Sequence, residues 1–169
     1  MGTGYWSEAR EGNEMKPKVY VETTVLSYLA ARPSKDAVTA GRQVLTRRWW
    51  DSERSKYELV VSEAVEVECE RGDPQAVGIR RSLLQQASLF PLDQEILNLA
   101  RILIAPGAIP QKAGPDAVHI AAASVARCDF LLTWNFRHIA NVQIRREVER
   151  ILAGHGYTKT KICTPEELI

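Results

Sequence analysis

The chain has 169 residues, 45% of them hydrophobic and 25% charged, with a formal net charge of +1. That is the size and balance of one soluble globular domain with a single sizeable core, and so even a charge leaves nucleic-acid binding to local patches rather than to the sum. No apolar run approaches the ~20 residues of a membrane span, and Cys69, Cys128 and Cys163 are too scattered for a disulfide frame or a zinc site.

Residues 1–15 open the chain as a polar stretch with Gly2, Gly4 and Gly12 and without the apolar core of a signal peptide. We read them as a disordered extension, with Tyr5 and Trp6 as its only potential anchors, and residues 16–169 as the domain. Three odd, unpaired cysteines indicate reduced thiols and a cytoplasmic protein.

Lys18-Val19-Tyr20-Val21-Glu22 is a short β-prone run. Thr23-Thr24 follows at once, and threonine is a good N-cap for the helix predicted over Val25 to Ala31. Arg32-Pro33 stops that helix. Glu22 therefore ends the first strand, the side of an open parallel sheet where ligands gather. A second helix is expected from Asp36 to about Lys56, carrying Arg47, Arg48 and the pair Trp49-Trp50, which suit a core, a partner surface or stacking on RNA.

Tyr57 to Ser62 reads as the next strand, with Ser62 as cap of an acidic helix from Glu63 to Arg71. A helix from Gln75 to about Gln86 leads to Leu89-Phe90-Pro91-Leu92, whose proline suits an edge strand. Glu95 to Ala105 is helical and halts at Pro106-Gly107. Pro115 is pre-set for the first helical position, and it opens a helix of small and apolar residues that runs to Val125. Asp116 lies in its first turn, where backbone N–H groups favour a negative charge. Cys128 to Trp134 has the length of a buried strand, and Asn135 stands just past its end. A helix from Val142 to Gly154, a strand from Lys159 to Cys163 and a capped turn at Thr164 close the chain. Strands alternating with helices predict a three-layer α/β/α fold with a central parallel sheet.

Glu22, Asp116 and Asn135 thus converge on one edge of that sheet. Glu68, on the acidic helix, is the fourth candidate, in competition with Glu63, Glu66 and Glu70. Oxygen ligands scattered in this way suit Mg²⁺ or Mn²⁺. No phosphate-binding glycine loop and no nucleophile with an evident histidine base is present. His119, one turn after Asp116, reads as a packed, satisfied histidine.

Taken together, Val21-Glu22-Thr23-Thr24-Val25-Leu26, Ser62 with Glu68 six residues on, Pro115-Asp116-Ala117-Val118-His119-Ile120-Ala121-Ala122-Ala123 and Leu132-Thr133-Trp134-Asn135-Phe136-Arg137-His138 resemble the successive motifs of PIN-domain nucleases, and most closely the VapC-like toxins of bacterial toxin–antitoxin pairs. The resemblance covers about Lys18 to Glu167. It implies a PIN-like fold and Mg²⁺- or Mn²⁺-dependent cleavage of RNA. By motif position, Glu22, Glu68 and Asp116 would be the metal carboxylates, and Asn135 would complete the catalytic pocket. Thr23 would help hold the first ligand and its water, and Arg137 and His138 would contact substrate phosphate. It also implies an antitoxin partner and a homodimer.

Two residues depart from the family pattern. Glu22 stands where aspartate is usual, and a displacement of ~1 Å at a reacting centre can cost on the order of a hundredfold in rate. His138 stands where a further acid is common. These departures motivate an alternative expectation, a weakened or inactive RNA-binding or protein-docking module on the same scaffold. A small-molecule phosphohydrolase is a weaker third.

Overall fold

The computed structural model describes residues 15–169. The expected N-terminal extension, apart from Met15, lies outside the described residues. The domain contains five strands, β1 (Lys18–Val21), β2 (Glu58–Ser62), β3 (Ser88–Phe90), β4 (Phe130–Leu132) and β5 (Lys161–Cys163). Its helices are α1 (Thr23–Ala30), α2 (Ala37–Ser52), α3 (Glu63–Cys69), α4 (Pro74–Leu84), α5 (Gln94–Ile104), α6 (Gly114–Val125) and α7 (Val142–Gly154). The strands pair in the order β3-β2-β1-β4-β5, all parallel.

That order runs outward in two directions from β1 and β4. Right-handed crossovers then put α1 to α4 on one face and α5 to α7 on the other. The packing agrees: α1 lies against α2, α3 and α4, and α5 lies against α6 and α7. The result is the three-layer α/β/α arrangement expected from the alternation of elements. The chain reverses its winding between β1 and β4, so a crevice opens beyond their carboxyl ends, where ligands of such sheets bind.

The central strands are buried on both sides. Val19, Tyr20 and Val21 of β1 and Leu131 and Leu132 of β4 are at most 1% exposed, which explains why the sequence there is apolar without alternation. β3 and β5 are the edges, and Pro91 falls just after β3, where no ladder N–H is needed. The seven-residue strand expected at Cys128 to Trp134 is shorter. Arg127 takes a left-handed turn, the Cys128 N–H returns to the Ala123 carbonyl, and at the far end the Trp134 N–H goes to the Thr24 hydroxyl. The outermost residues of the expected strand, Cys128 and Trp134, are thus bonded outside the ladder. The long helix after Asp36 also ends earlier than expected, at Ser52, and closes through a 3-10 turn at Arg54–Lys56.

Trp49 and Trp50 belong to the core, not to a surface that stacks on RNA or a partner. Trp49 is wholly buried, edge-on to Trp50 and beside Tyr57, and its indole N–H has no hydrogen-bond partner among the described residues. An unpaired buried donor costs about 1–3 kcal/mol. Trp49→Phe removes that donor along with part of the ring. Urea denaturation is therefore expected to show a loss below about 1.5 kcal/mol, far less than the 3–5 kcal/mol typical of deleting a buried aromatic. All three cysteines are buried and free, and burial raises each thiol, to about 11 for Cys69 and about 12 for Cys128 and Cys163.

Candidate active site

The carboxyl ends of β1 and β4 bring together residues far apart in sequence. Glu22 is the residue after β1, and its backbone N–H continues the ladder to the Leu132 carbonyl at 3.0 Å. Thr133 and Asn135 follow β4. Glu68 comes from α3, and Asp116 and His119 from the start of α6.

Glu22 is 3% exposed, an unusual place for an acid. Its Oε2 accepts hydrogen bonds from the hydroxyls of Thr24 and, at 2.7 Å, Thr133. Thr24 in turn accepts from the Trp134 N–H at 2.9 Å, and Thr133 accepts from the Asn135 N–H at 2.9 Å. The threonine cap expected for α1 is absent for this reason. Glu22 occupies the cap position without a side-chain cap bond, and both threonine hydroxyls face acids instead. Thr23 donates to Glu68 Oε2, and Thr24 to Glu22.

The four glutamates of α3 and its end sort themselves by partner. Glu63 accepts from the Leu92 N–H, Glu70 pairs with Arg81, and Glu66 is exposed. Glu68 turns inward, where its Oε2 receives Thr23 and lies 3.1 Å from His119 Nε2. Burial alone would raise the Glu68 carboxyl. The bond and charge of His119 and the Thr23 hydroxyl outweigh it and hold the group below its usual range. Burial would lower the His119 imidazole, but the Glu68 bond and the charges of Glu22, Glu68 and Asp116 raise it.

Asp116 is half-buried, and its Oδ1 accepts from the Asn135 amide at 2.9 Å. Asn135 Oδ1 accepts from the His138 backbone N–H at 3.0 Å, so the amide is held at both ends. Burial raises the Asp116 carboxyl; His138 and His119 oppose that, and the charges of Glu22 and Glu68 add to it. α6 begins at Gly114, one residue before the expected Pro115, and Asp116 keeps its place in the first turn.

Ligand atoms of Glu22, Glu68 and His119 all lie within 4.8 Å of one another. Asp116 stands outside that group of three but within reach of its charges. Among the described residues, one oxygen of each carboxylate is held by hydrogen bonds, and the other, Glu22 Oε1, Glu68 Oε1 and Asp116 Oδ2, receives none. Glu22 and Glu68, each with an unclaimed oxygen, and His119 are thus gathered closely enough to share one cation, and carboxylate oxygens suit a hard divalent ion.

Arg137 is exposed, and His138 is half-buried beside Asp116. Sequence reading missed the roles of Thr24, Thr133 and Tyr20. The Thr-Thr pair and the Thr133–Asn135 spacing were visible, but a hydroxyl's partner depends on tertiary approach. His119 is satisfied, as expected, and it also reaches Glu68.

The sheet order, the crossovers and the acids at the switch point define an α/β/α protein with a PIN-like fold. No protein-family model matches the sequence, and no curated protein matches it. Solved structures do share the fold. One is VapC20 of Mycobacterium tuberculosis, a sarcin–ricin loop cleaving toxin, with 18% identity, a TM-score of 0.52, and coverage of 67% of this chain and 86% of that one. Another is VapBC2 of Rickettsia felis bound to a DNA fragment from their promoter, with 11% identity, a TM-score of 0.50, and coverage of 87% and 98%. The chain has the fold of VapC proteins.

Proposed function

We propose that this chain is a Mg²⁺- or Mn²⁺-dependent endoribonuclease that cleaves single-stranded RNA, and that it is the toxin of a toxin–antitoxin pair. The observation that carries the reading is the set of three carboxylates, each with one oxygen anchored and one unclaimed. Glu22, Glu68 and Asp116 are the proposed metal ligands. Asn135 orients Asp116, and Thr23 steadies Glu68. A divalent cation bound there supplies a water of lowered pKa and neutralises charge on the phosphodiester. Arg137 and His138, on the loop after β4, are the proposed contacts to substrate phosphate. The fold shared with a toxin that cleaves the sarcin–ricin loop supports RNA as the substrate, and the VapBC2 structure supports an antitoxin partner. A homodimer and a cytoplasmic setting are proposed with it; the three buried free thiols suit a reducing compartment.

The test is incubation of labelled single-stranded RNA with the purified chain. Cleavage to products with a 5′-phosphate is expected with Mn²⁺, none with excess chelator, and recovery when Mn²⁺ is restored. Cleavage that persists in chelator rejects the metal-dependent reading. Glu22 in place of aspartate favours a second reading, a docking or RNA-binding module of weakened activity. An isothermal titration that finds no Mn²⁺ binding in the pocket, with no cleavage of any RNA offered, would support it.

A further inference from the structure

Ser62, Tyr20 and His119 form a buried polar column behind the pocket. The Tyr20 hydroxyl lies 2.7 Å from Ser62 Oγ and 2.8 Å from His119 Nδ1, and His119 Nε2 lies 3.1 Å from Glu68 Oε2. Tyr20, Ser62 and His119 are each at most 1% exposed, so none of them can meet a substrate directly. Ser62 occupies the cap position of α3 but makes no cap bond there; its hydroxyl faces Tyr20 instead. The column therefore has one outlet, Glu68 Oε2.

An ionised carboxylate only accepts hydrogen bonds, so Nε2 carries the proton on the Glu68 side. Nδ1 is then left to Tyr20, whose hydroxyl can donate or accept as the ring requires. A flipped imidazole would lose both bonds. With Thr23 as second donor, Glu68 Oε2 is held from two directions, and this fixes where Oε1 points. We propose that Tyr20 is a positioning residue which, through His119, aims Glu68 Oε1 at a divalent cation. The proposal rests on reading Glu22, Glu68 and Asp116 as a cation site.

The test is calorimetric Mn²⁺ titration of the full chain near neutral pH. Tyr20→Phe keeps the ring and removes the one hydroxyl, and it is expected to weaken Mn²⁺ binding about tenfold, the lower end for loss of a partner behind a ligand. In a Glu68→Ala background the same change is expected to cost less than about twofold, because the coupling runs through Glu68. A tenfold loss in both backgrounds would overturn the proposal, since it would mark a general structural defect. Wild-type affinity in Tyr20→Phe would overturn it while leaving the cation site standing. Absence of Mn²⁺ binding by the wild type would bring down the cation site, and the proposal with it. Should Tyr20→Phe fail to fold, Ser62→Ala supplies the same comparison, with an expected loss of about threefold that vanishes in the Glu68→Ala background.

Discussion

Glu22→Gln is expected to abolish RNA cleavage while raising the melting temperature of the metal-free protein. Glu22 is buried beside Glu68 and within charge reach of Asp116. Without a cation, the Glu22 charge is buried in a low-dielectric crevice beside Glu68, whose charge His119 offsets, and within reach of Asp116, and the remaining repulsion opposes folding. Glutamine keeps the shape and still accepts from Thr24 and Thr133, and its amide can donate to a neighbouring acid. Relief of about 1–2 kcal/mol corresponds to roughly 2–8 °C in a chain of this size. Loss of this proposed metal ligand should lower the rate by on the order of a thousandfold. Differential scanning calorimetry in chelator and the Mn²⁺-dependent RNA assay check the two halves. A fall in melting temperature would show that the threonine hydroxyls already compensate the charge. Unchanged cleavage would remove Glu22 from the site.

The opposite signs of those two effects bear on what the sequence made legible. The apolar runs of β1 and β4, Pro115 before Asp116 and the breaks at Pro33 and Pro106 are local signals, and the fold follows from their order. Asp116 stayed in the first turn of α6 because proline, dipole and carboxylate agree there. Glu68 was separable from Glu63, Glu66 and Glu70 only by its spacing from Ser62; the structure separates it by the partners each of the others finds. The capped turn at Thr164 is present, but three caps beside the site were misread. Thr23, Thr24 and Ser62 have the chemistry of N-caps, and local reasoning assigns them to helix ends. In the folded chain their hydroxyls meet Glu68, Glu22 and Tyr20, residues brought in by other elements. Local rules give way where buried acids need donors, which is where a functional site is expected to break them.

Trp134→Ala is expected to lower the unfolding free energy by about 3–5 kcal/mol, the range for deleting a buried aromatic, and the melting temperature by roughly 10–15 °C. Trp134 is 4% exposed and packs near Tyr28 and Phe136, with the Arg42 guanidinium 5.7 Å from its ring centre. Its indole N–H donates to Thr46 Oγ1 at 2.7 Å. Thr46 still donates to the Arg42 carbonyl when the indole is gone, so the cost is cavity and packing rather than an orphaned hydroxyl. The side chain also clamps the segment that carries Thr133 and Asn135, one bonded to Glu22 and the other to Asp116. A shift of ~1 Å in that backbone would misdirect two carboxylates, and such misplacement can cost on the order of a hundredfold. The RNA assay, run well below the lowered melting temperature, should therefore show a loss of activity in a protein that circular dichroism reports as folded. Trp134→Phe separates the two contributions. It refills most of the cavity and loses the indole bond, so about 1–2 kcal/mol of stability should go while cleavage stays near wild type. Equal activity in the alanine and phenylalanine variants would mean that the carboxylates hold their geometry without this clamp, through the threonine hydroxyls alone.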